Sequence, residues 1–253
     1  VYLYGKPTFN MKGGEISGNK VQGSSSSSNI LGGGVYIGGY TTFNMTGGSI
    51  TQNTATNSGY GGGVYVGGFT TFNMTGGSIT KNTASYGDGV YVNPDGTFTV
   101  SGTPTVKENK NSRGNVYLAS RTASGVTTTA AVTVSGALSE GASIGVTSSV
   151  ASNNLPVTVA KGAAATAGGT GYSVTENDAK AFFSDSTIRH IEYENAEVKL
   201  CQGALHVHYL CGGKDKCSAA EGVTHPNCVS TTFKEIKTEA ELKAAAEKGG
   251  TYY

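Results

Sequence analysis

The residues most able to do chemistry crowd one short stretch. All four cysteines (Cys201, Cys211, Cys217, Cys228) lie within it, together with three of the four histidines. Two pairs share one spacing, His208-Tyr209-Leu210-Cys211 and His225-Pro226-Asn227-Cys228. A His-x-x-Cys pair offers an imidazole nitrogen and a thiolate from one tight turn. Two such pairs complete the tetrahedral shell of a structural Zn²⁺, with Cys217 as an alternative ligand. Gly212-Gly213 lets the chain bend after the first pair. Metal would close a segment with too few apolar residues to fold alone. Two disulfides are the alternative, and the spacing does not choose among the pairings that four cysteines allow.

Catalytic groups are sparse elsewhere. Only Glu15, Asp88, Asp95, Glu108 and Glu140 supply carboxylates in the first 160 residues. Glycoside hydrolysis needs two carboxyl groups about 5–9.5 Å apart, and a lyase needs acidic calcium ligands beside a basic residue. Asp88 and Asp95 fall on different corners of the repeat described below, and Glu15 and Glu108 lie far apart along it. Every histidine lies at or after His190, so the repeats hold no Ser-His-Asp set. The expectation is a chain without catalysis. With a net charge of +1 there is no bulk attraction to nucleic acid, and no apolar run is long enough to enter a membrane.

Binding residues are easier to nominate. Tyr36, Tyr65, Tyr91 and Tyr117, with Tyr2 before them, each sit in a Val-Tyr-apolar triplet. Brought onto one face they would form a stripe of rings for a glycan or a protein partner. Threonines and asparagines at Thr42, Asn44, Thr46, Thr71, Asn73 and Thr75 form a second outward row. A flat threonine array suggests an ice-binding solenoid, but Lys12 interrupts the row in the first repeat.

The elements that position these residues come from an internal repeat. GGGVYIGGYTTFNMTGGSIT (32–51) returns almost unchanged as GGGVYVGGFTTFNMTGGSIT (61–80). Val1, Val35, Val64, Val90 and Val116 open successive units, which run 26 to 34 residues. A Phe follows at Phe9, Phe43, Phe72 and Phe98, a β-branched residue at Ile16, Ile50, Ile79 and Val106, and an asparagine at Asn19, Asn53, Asn82 and Asn109. Each unit holds three short strands whose alternation puts Val, Phe, Met and Ile on one side and Tyr, Thr and Asn on the other. Three strands per unit, repeated in register, predict a parallel β-helix with about 4.8 Å between coils. Identical side chains should then stack as ladders, with the asparagines bonding from coil to coil at one corner. The interval from the β-branched residue to the next Val shrinks from 19 to 14, 11 and 10 residues, so loops should emerge at that corner. They are a second candidate binding surface.

Beyond Tyr117 the repeat loosens. Residues 131–135, 143–146, 156–159 and 171–174 read as strands, 178–183 as a helical turn and 188–200 as alternating again. Together 119–200 would be irregular coils that finish the stack.

The quoted motifs resemble the GGG-apolar-Tyr and Phe-x-Met-x-Gly-Gly-x-Ile-x-x-Asn repeats of large surface proteins from Gram-positive gut bacteria. The resemblance covers roughly residues 1–230, including Asp178-Ala179-Lys180-Ala181-Phe182-Phe183-Ser184-Asp185. It implies the pectin-lyase-like right-handed β-helix and an extracellular, cell-surface setting.

The sequence therefore predicts an all-β chain: a right-handed parallel β-helix over 1–200, a Cys/His-rich segment over 201–230 and the start of a following module over 231–253. That last part carries the capping box Thr238 to Glu241 and a short helix through Lys248. The expected function is a non-enzymatic surface-protein module, a stalk or an adhesin that binds host or dietary glycan or protein. The alternative is a carbohydrate-active lyase or hydrolase. The opening at Val1 and the close at Tyr253 suggest a piece of a longer chain.

Overall fold

A computed structural model describes residues 1–23, 30–109, 114–166, 170–202, 205–207 and 234–236. The chain divides into one unit of Val1–Thr187 with Ile191–Cys201, and a second of Ile188–His190 with Gln202–Tyr253.

The first unit is built from the three strands of each repeat. Tyr2–Leu3, Val35–Ile37, Val64–Val66, Val90–Val92 and Val116–Leu118 pair in parallel, Tyr on Tyr. Thr8–Met11, Thr42–Met45, Thr71–Met74 and Thr97–Gly102 pair in parallel, Phe on Phe. Glu15–Ser17, Ser49–Thr51, Ser78–Thr80 and Thr105–Val106 form the third stack, Ile on Ile or Val. This is a solenoid-like stack of parallel strands, compatible with a β-helix.

Alternation along each strand decides what is buried. Phe43, Phe72 and Phe98 are fully buried, with centroids 4.8 and 4.9 Å apart. Met45 and Met74 are buried on the same strands, as are Ile50, Ile79 and Val106 on theirs. One coil alone would leave this face in water. Stacking removes it, each large side chain being worth about 1.5–3 kcal/mol on burial.

Two devices let the chain turn the corner before each Val. The first glycine of the triplet lies in the left-handed region, with φ of 66° at Gly32, 68° at Gly61 and 64° at Gly87. The middle glycine is packed against backbone: a Cβ on Gly62 would strike the carbonyl oxygens of Asp88 and Thr83.

The asparagines bond as the repeat predicts. Asn19 Nδ2 donates to Asn53 Oδ1 at 2.8 Å, Asn53 Nδ2 to Asn82 Oδ1 at 3.0 Å, and Asn82 Nδ2 to Asn109 Oδ1 at 3.0 Å. Each Oδ1 also accepts a backbone N–H of the preceding coil, as Asn82 Oδ1 does from Asn53 N. The ladder ends where no next corner exists. Asn115 takes the place of the third glycine and accepts from Asn109 Nδ2 at 2.9 Å, and Asp185 accepts both the backbone and the side-chain N–H of Asn115.

Some expectations for 119–200 need correction. Ser120–Ala123 and Val126–Thr129 form an antiparallel hairpin, because Ser124 and Gly125 both have positive φ (51° and 77°), the geometry of a tight two-residue turn. Val132–Leu138 continues the Phe stack. Ser143–Ser148 pairs with Thr105–Val106 through its first half and with Val116–Leu118 through its second. One strand thus crosses where earlier coils turn, and joins two stacks into one sheet. Val157–Gly162 pairs antiparallel with Glu197–Gln202, whose other neighbour is Arg189–Glu194. This final pairing closes the stack with antiparallel strands rather than another coil.

Residues 171–174 form no strand. Tyr172 instead bonds Ala163 O through its N–H and the Asp178 carboxylate through its hydroxyl. The helix covers Glu176–Ala179, earlier than 178–183, because Thr175 and Asp178 cap each other. Phe182–Ser184 then adds a strand, with Phe182 opposite Ile144.

In the second unit, Leu205–Val207 pairs antiparallel with Lys234–Ile236. The expected helix after Thr238 lies outside the described residues.

Candidate functional site

Tyr2, Tyr36, Tyr65, Tyr91 and Tyr117 do come together. Their centroids are 4.8, 5.6, 5.3 and 5.6 Å apart, with interplanar angles from 2° to 11°. Tyr60 and Tyr86 stack beside them at 5.2 Å and meet Tyr91 and Tyr117 edge-on. A sugar stacks on a ring face, and here each inner ring has a neighbour on both faces. Tyr36, Tyr65 and Tyr91 present edges and hydroxyls. Burial pushes these phenols above their ordinary pKa. The column stiffens the sheet through cross-strand aromatic contact.

Tyr2 and Tyr4 are exposed at the first coil, and further exposed rings lie one corner away. Tyr40 is 65% exposed and Phe69 70%. Their rings sit 6.1 Å apart, tilted by 33°, which leaves both accessible. Tyr40 N donates to Gly5 O and Phe69 N to Asp95 O, so the corner forms a column along the stack. Lys6 Nζ lies 5.9 Å from the Tyr40 centroid. At the far end Arg121, from the hairpin, grips Asp95 with both terminal nitrogens at 2.8 and 3.2 Å.

Phe69 has φ 60°. A bulky side chain rarely adopts that conformation. The equivalent corner of the preceding coil places Gly39 at φ 73° and spares Tyr40. Both corners are closed by a buried threonine, Thr41 Oγ1 to Gly38 O and Thr70 Oγ1 to Gly67 O, each at 2.7 Å. The only sequence signal for this column was the Tyr/Phe alternation between two otherwise near-identical repeats.

Beside the aromatic column runs the flat polar face. Asn44 Nδ2 donates to Asn10 Oδ1 and Asn73 Nδ2 to Asn44 Oδ1, both at 2.8 Å. Thr42 and Thr71 stand opposite each other on the same strands.

The loop corner is ordered where described. Lys20–Val21 pairs in parallel with Thr54–Ala55, and Ile30, Ala55 and Ala84 make a small second core. Outside the asparagine ladder a shallow groove of about 370 Å³ is lined by Gln52, Thr54, Lys81, Thr83 and Glu108.

The buried and half-buried carboxylates Asp88, Asp178 and Asp185 are engaged structurally. Asp88, fully buried, accepts from Ala84 N at 2.7 Å. Burial raises the Asp185 pKa, and the nearby Asp88 charge adds to the rise. Burial would also raise Asp178, but donors from Leu138 N, Thr175 N, Thr175 Oγ1 and Tyr172 Oη hold it below the ordinary value.

His208, Cys211, Cys217, His225 and Cys228 lie outside the described residues. Cys201 is a free, buried thiol on Glu197–Gln202, and burial, then the Glu192 charge, pushes it up to about 12.

Among the described residues, no helix is long and apolar enough to cross a membrane. No known protein family, curated protein or solved structure matches the chain.

Proposed function

We propose that this chain is a non-enzymatic module of an extracellular surface protein, a stiff right-handed parallel β-helix of the pectin-lyase-like kind that displays a binding surface. The observation that carries this reading is the use of the same side chain on itself, coil after coil, in the Phe43–Phe72–Phe98 and Asn53–Asn82–Asn109 ladders. Side chains that serve neighbouring coils are unavailable for turnover, and the buried acids bond backbone amides. The surface left over is aromatic, hydroxylic and amidic, the chemistry of glycan or protein contact. The gut-bacterial surface setting rests on the repeat motifs quoted above.

The test is product analysis. Polysaccharides incubated with the protein keep their chain length on this reading. New reducing ends or unsaturated oligosaccharides would establish the lyase or hydrolase alternative.

The Cys/His segment is proposed as a structural Zn²⁺ site held by His208, Cys211, His225 and Cys228, with Cys217 able to replace a histidine. Two disulfides would leave the paired histidines without a role. One zinc per chain on metal analysis supports the site. No metal, with the remaining thiols blocked until reduction, refutes it.

A further inference from the structure

We infer that the tyrosines beside the glycine corners form a site of oxidative modification. Under a diffusible one-electron oxidant, Tyr60 couples to Tyr91 and Tyr86 to Tyr117 as dityrosine, and each new bond staples one coil to the next.

The first observation is placement. Tyr60 lies just ahead of the coil that Val64 opens, and Tyr86 just ahead of the one that Val90 opens. Their backbones are pinned along the stack: Tyr60 N donates to Ile30 O at 2.9 Å, Tyr86 N to Gly59 O at 3.2 Å, and Gly61 N to Tyr86 O at 2.9 Å. Each ring meets the Val-Tyr strand of the following coil. Tyr60 and Tyr91 have centroids 5.0 Å apart and planes at 73°, and the same geometry recurs one repeat on, with Tyr86 and Tyr117 at 5.4 Å and 67°.

The second is chemistry. A phenoxyl radical carries much of its unpaired spin on the two carbons ortho to the oxygen, at the rim of the ring. Parallel rings meet by their faces, so joining Tyr65 to Tyr91, or Tyr91 to Tyr117, would need both to swing out of the column. An edge-on pair already brings one rim to the neighbouring ring. The chain has no tryptophan, so tyrosine is its most readily oxidised aromatic side chain. Burial keeps the Tyr65 and Tyr91 phenols protonated, so no charge drives the crowded rings apart.

Each phenol gives one electron to the oxidant and its hydroxyl proton to water. The two phenoxyl radicals of a pair then join, ortho carbon to ortho carbon. The two ring hydrogens at the new bond move to the oxygens, which restores both aromatic rings. The pair loses two hydrogen atoms in all. Rings held in contact couple within one chain faster than rings on separate chains can meet. A bond across two coils restricts the unfolded chain, so it stabilises the stack.

Photo-oxidation of the dilute full chain with ruthenium tris-bipyridine and persulfate tests this. The recovered monomer should show dityrosine fluorescence and melt higher than the unoxidised chain. Mass spectrometry should find peptides joined at Tyr60 with Tyr91 and at Tyr86 with Tyr117. The double variant Tyr60→Phe with Tyr86→Phe keeps the rings and removes both phenols. It should lower monomer dityrosine at least fivefold while melting, before oxidation, within a few degrees of the parent. The peptide map of the parent keeps the test decisive if this variant folds poorly. Monomer without dityrosine, cross-links confined to the exposed Tyr2, Tyr4 or Tyr40, or a yield that ignores the double variant overturns the inference. Cross-linked monomer that melts no higher than the parent overturns the staple.

Discussion

Asn82 is where the ladder account can be broken most cleanly. It is fully buried. Its Oδ1 accepts Asn53 N and Asn53 Nδ2, both at 3.0 Å, and its Nδ2 donates to Asn109 Oδ1, Ile50 O and Thr80 O at 3.0, 2.9 and 3.0 Å. Truncation to alanine spares two partners. Asn53 Nδ2 still donates to Ile16 O, and Asn109 Oδ1 still accepts Asn82 N. What is stranded is the Asn53 N–H, and Ile50 O loses a donor. At about 1–3 kcal/mol for each buried group left unsatisfied, Asn82→Ala should cost about 2–6 kcal/mol. For a chain of this size that lowers the melting temperature by roughly 4–24 °C. The control is Asn73→Ala. Asn73 makes the same amide-to-amide bond, 2.8 Å to Asn44, but on the solvent face, so its loss should cost under about 1 kcal/mol. Denaturant unfolding of both variants, with m-values compared, gives the two numbers. Equal costs, or an Asn82→Ala cost below that of Asn73→Ala, would refute the reasoning that burial makes the ladder structural.

Other outcomes follow from the same geometry. Asp185→Asn should destabilise by about 1–3 kcal/mol, because one of two oxygens accepting from Asn115 becomes a donor; thermal melts check it. The Asp185 carboxyl titrates above its ordinary value when folded, so its contribution is complete below the unfolded pKa of about 3.9 and is lost as pH rises through the folded value. The Asp178 carboxyl titrates below its ordinary value, so its contribution holds above that unfolded pKa and is lost as pH falls through the folded value. Melts from pH 3 to 8 should therefore lose part of the high-pH decline in Asp185→Asn and part of the acid decline in Asp178→Asn. Gly62→Ala should impair folding, since its Cβ would meet the carbonyls of Asp88 and Thr83; circular dichroism of the purified variant reads this. Cys201 should resist alkylation at pH 8 until the chain is unfolded, as peptide mapping by mass spectrometry would show.

The stack was legible because a repeat states its own register. Val, Phe, Met and Ile recur on a fixed schedule, and each aligned pair in the sequence is a bonded pair in the fold. The asparagine corner was equally plain. The end of the ladder was not, because Asn115 and Asp185 are 70 residues apart and share no motif. The closing segment misled for a related reason. Pro156 to Val159 and Ile188 to Leu200 alternate like the repeats, and alternation does not distinguish a parallel coil from an antiparallel pair. Residues 171–174 have strand composition, but Asp178 holds them from the helix cap. For the site, the tyrosine column was correctly assembled from sequence. Ring-on-ring stacking, which closes its faces, is a three-dimensional fact, and so is the outward strain at Phe69.

The in-register parallel stack positions every candidate binding surface of this chain, and two distances test it. Spin labels placed at Thr42 with Thr71, and separately at Thr46 with Thr75, through an unnatural amino acid that spares the cysteines, report neighbouring coils at two points along one strand. Parallel register predicts the same backbone separation for both pairs, about 5 Å, and equally strong broadening of both spectra. Broadening of one pair without the other would mean an antiparallel or slipped arrangement and would contradict the account.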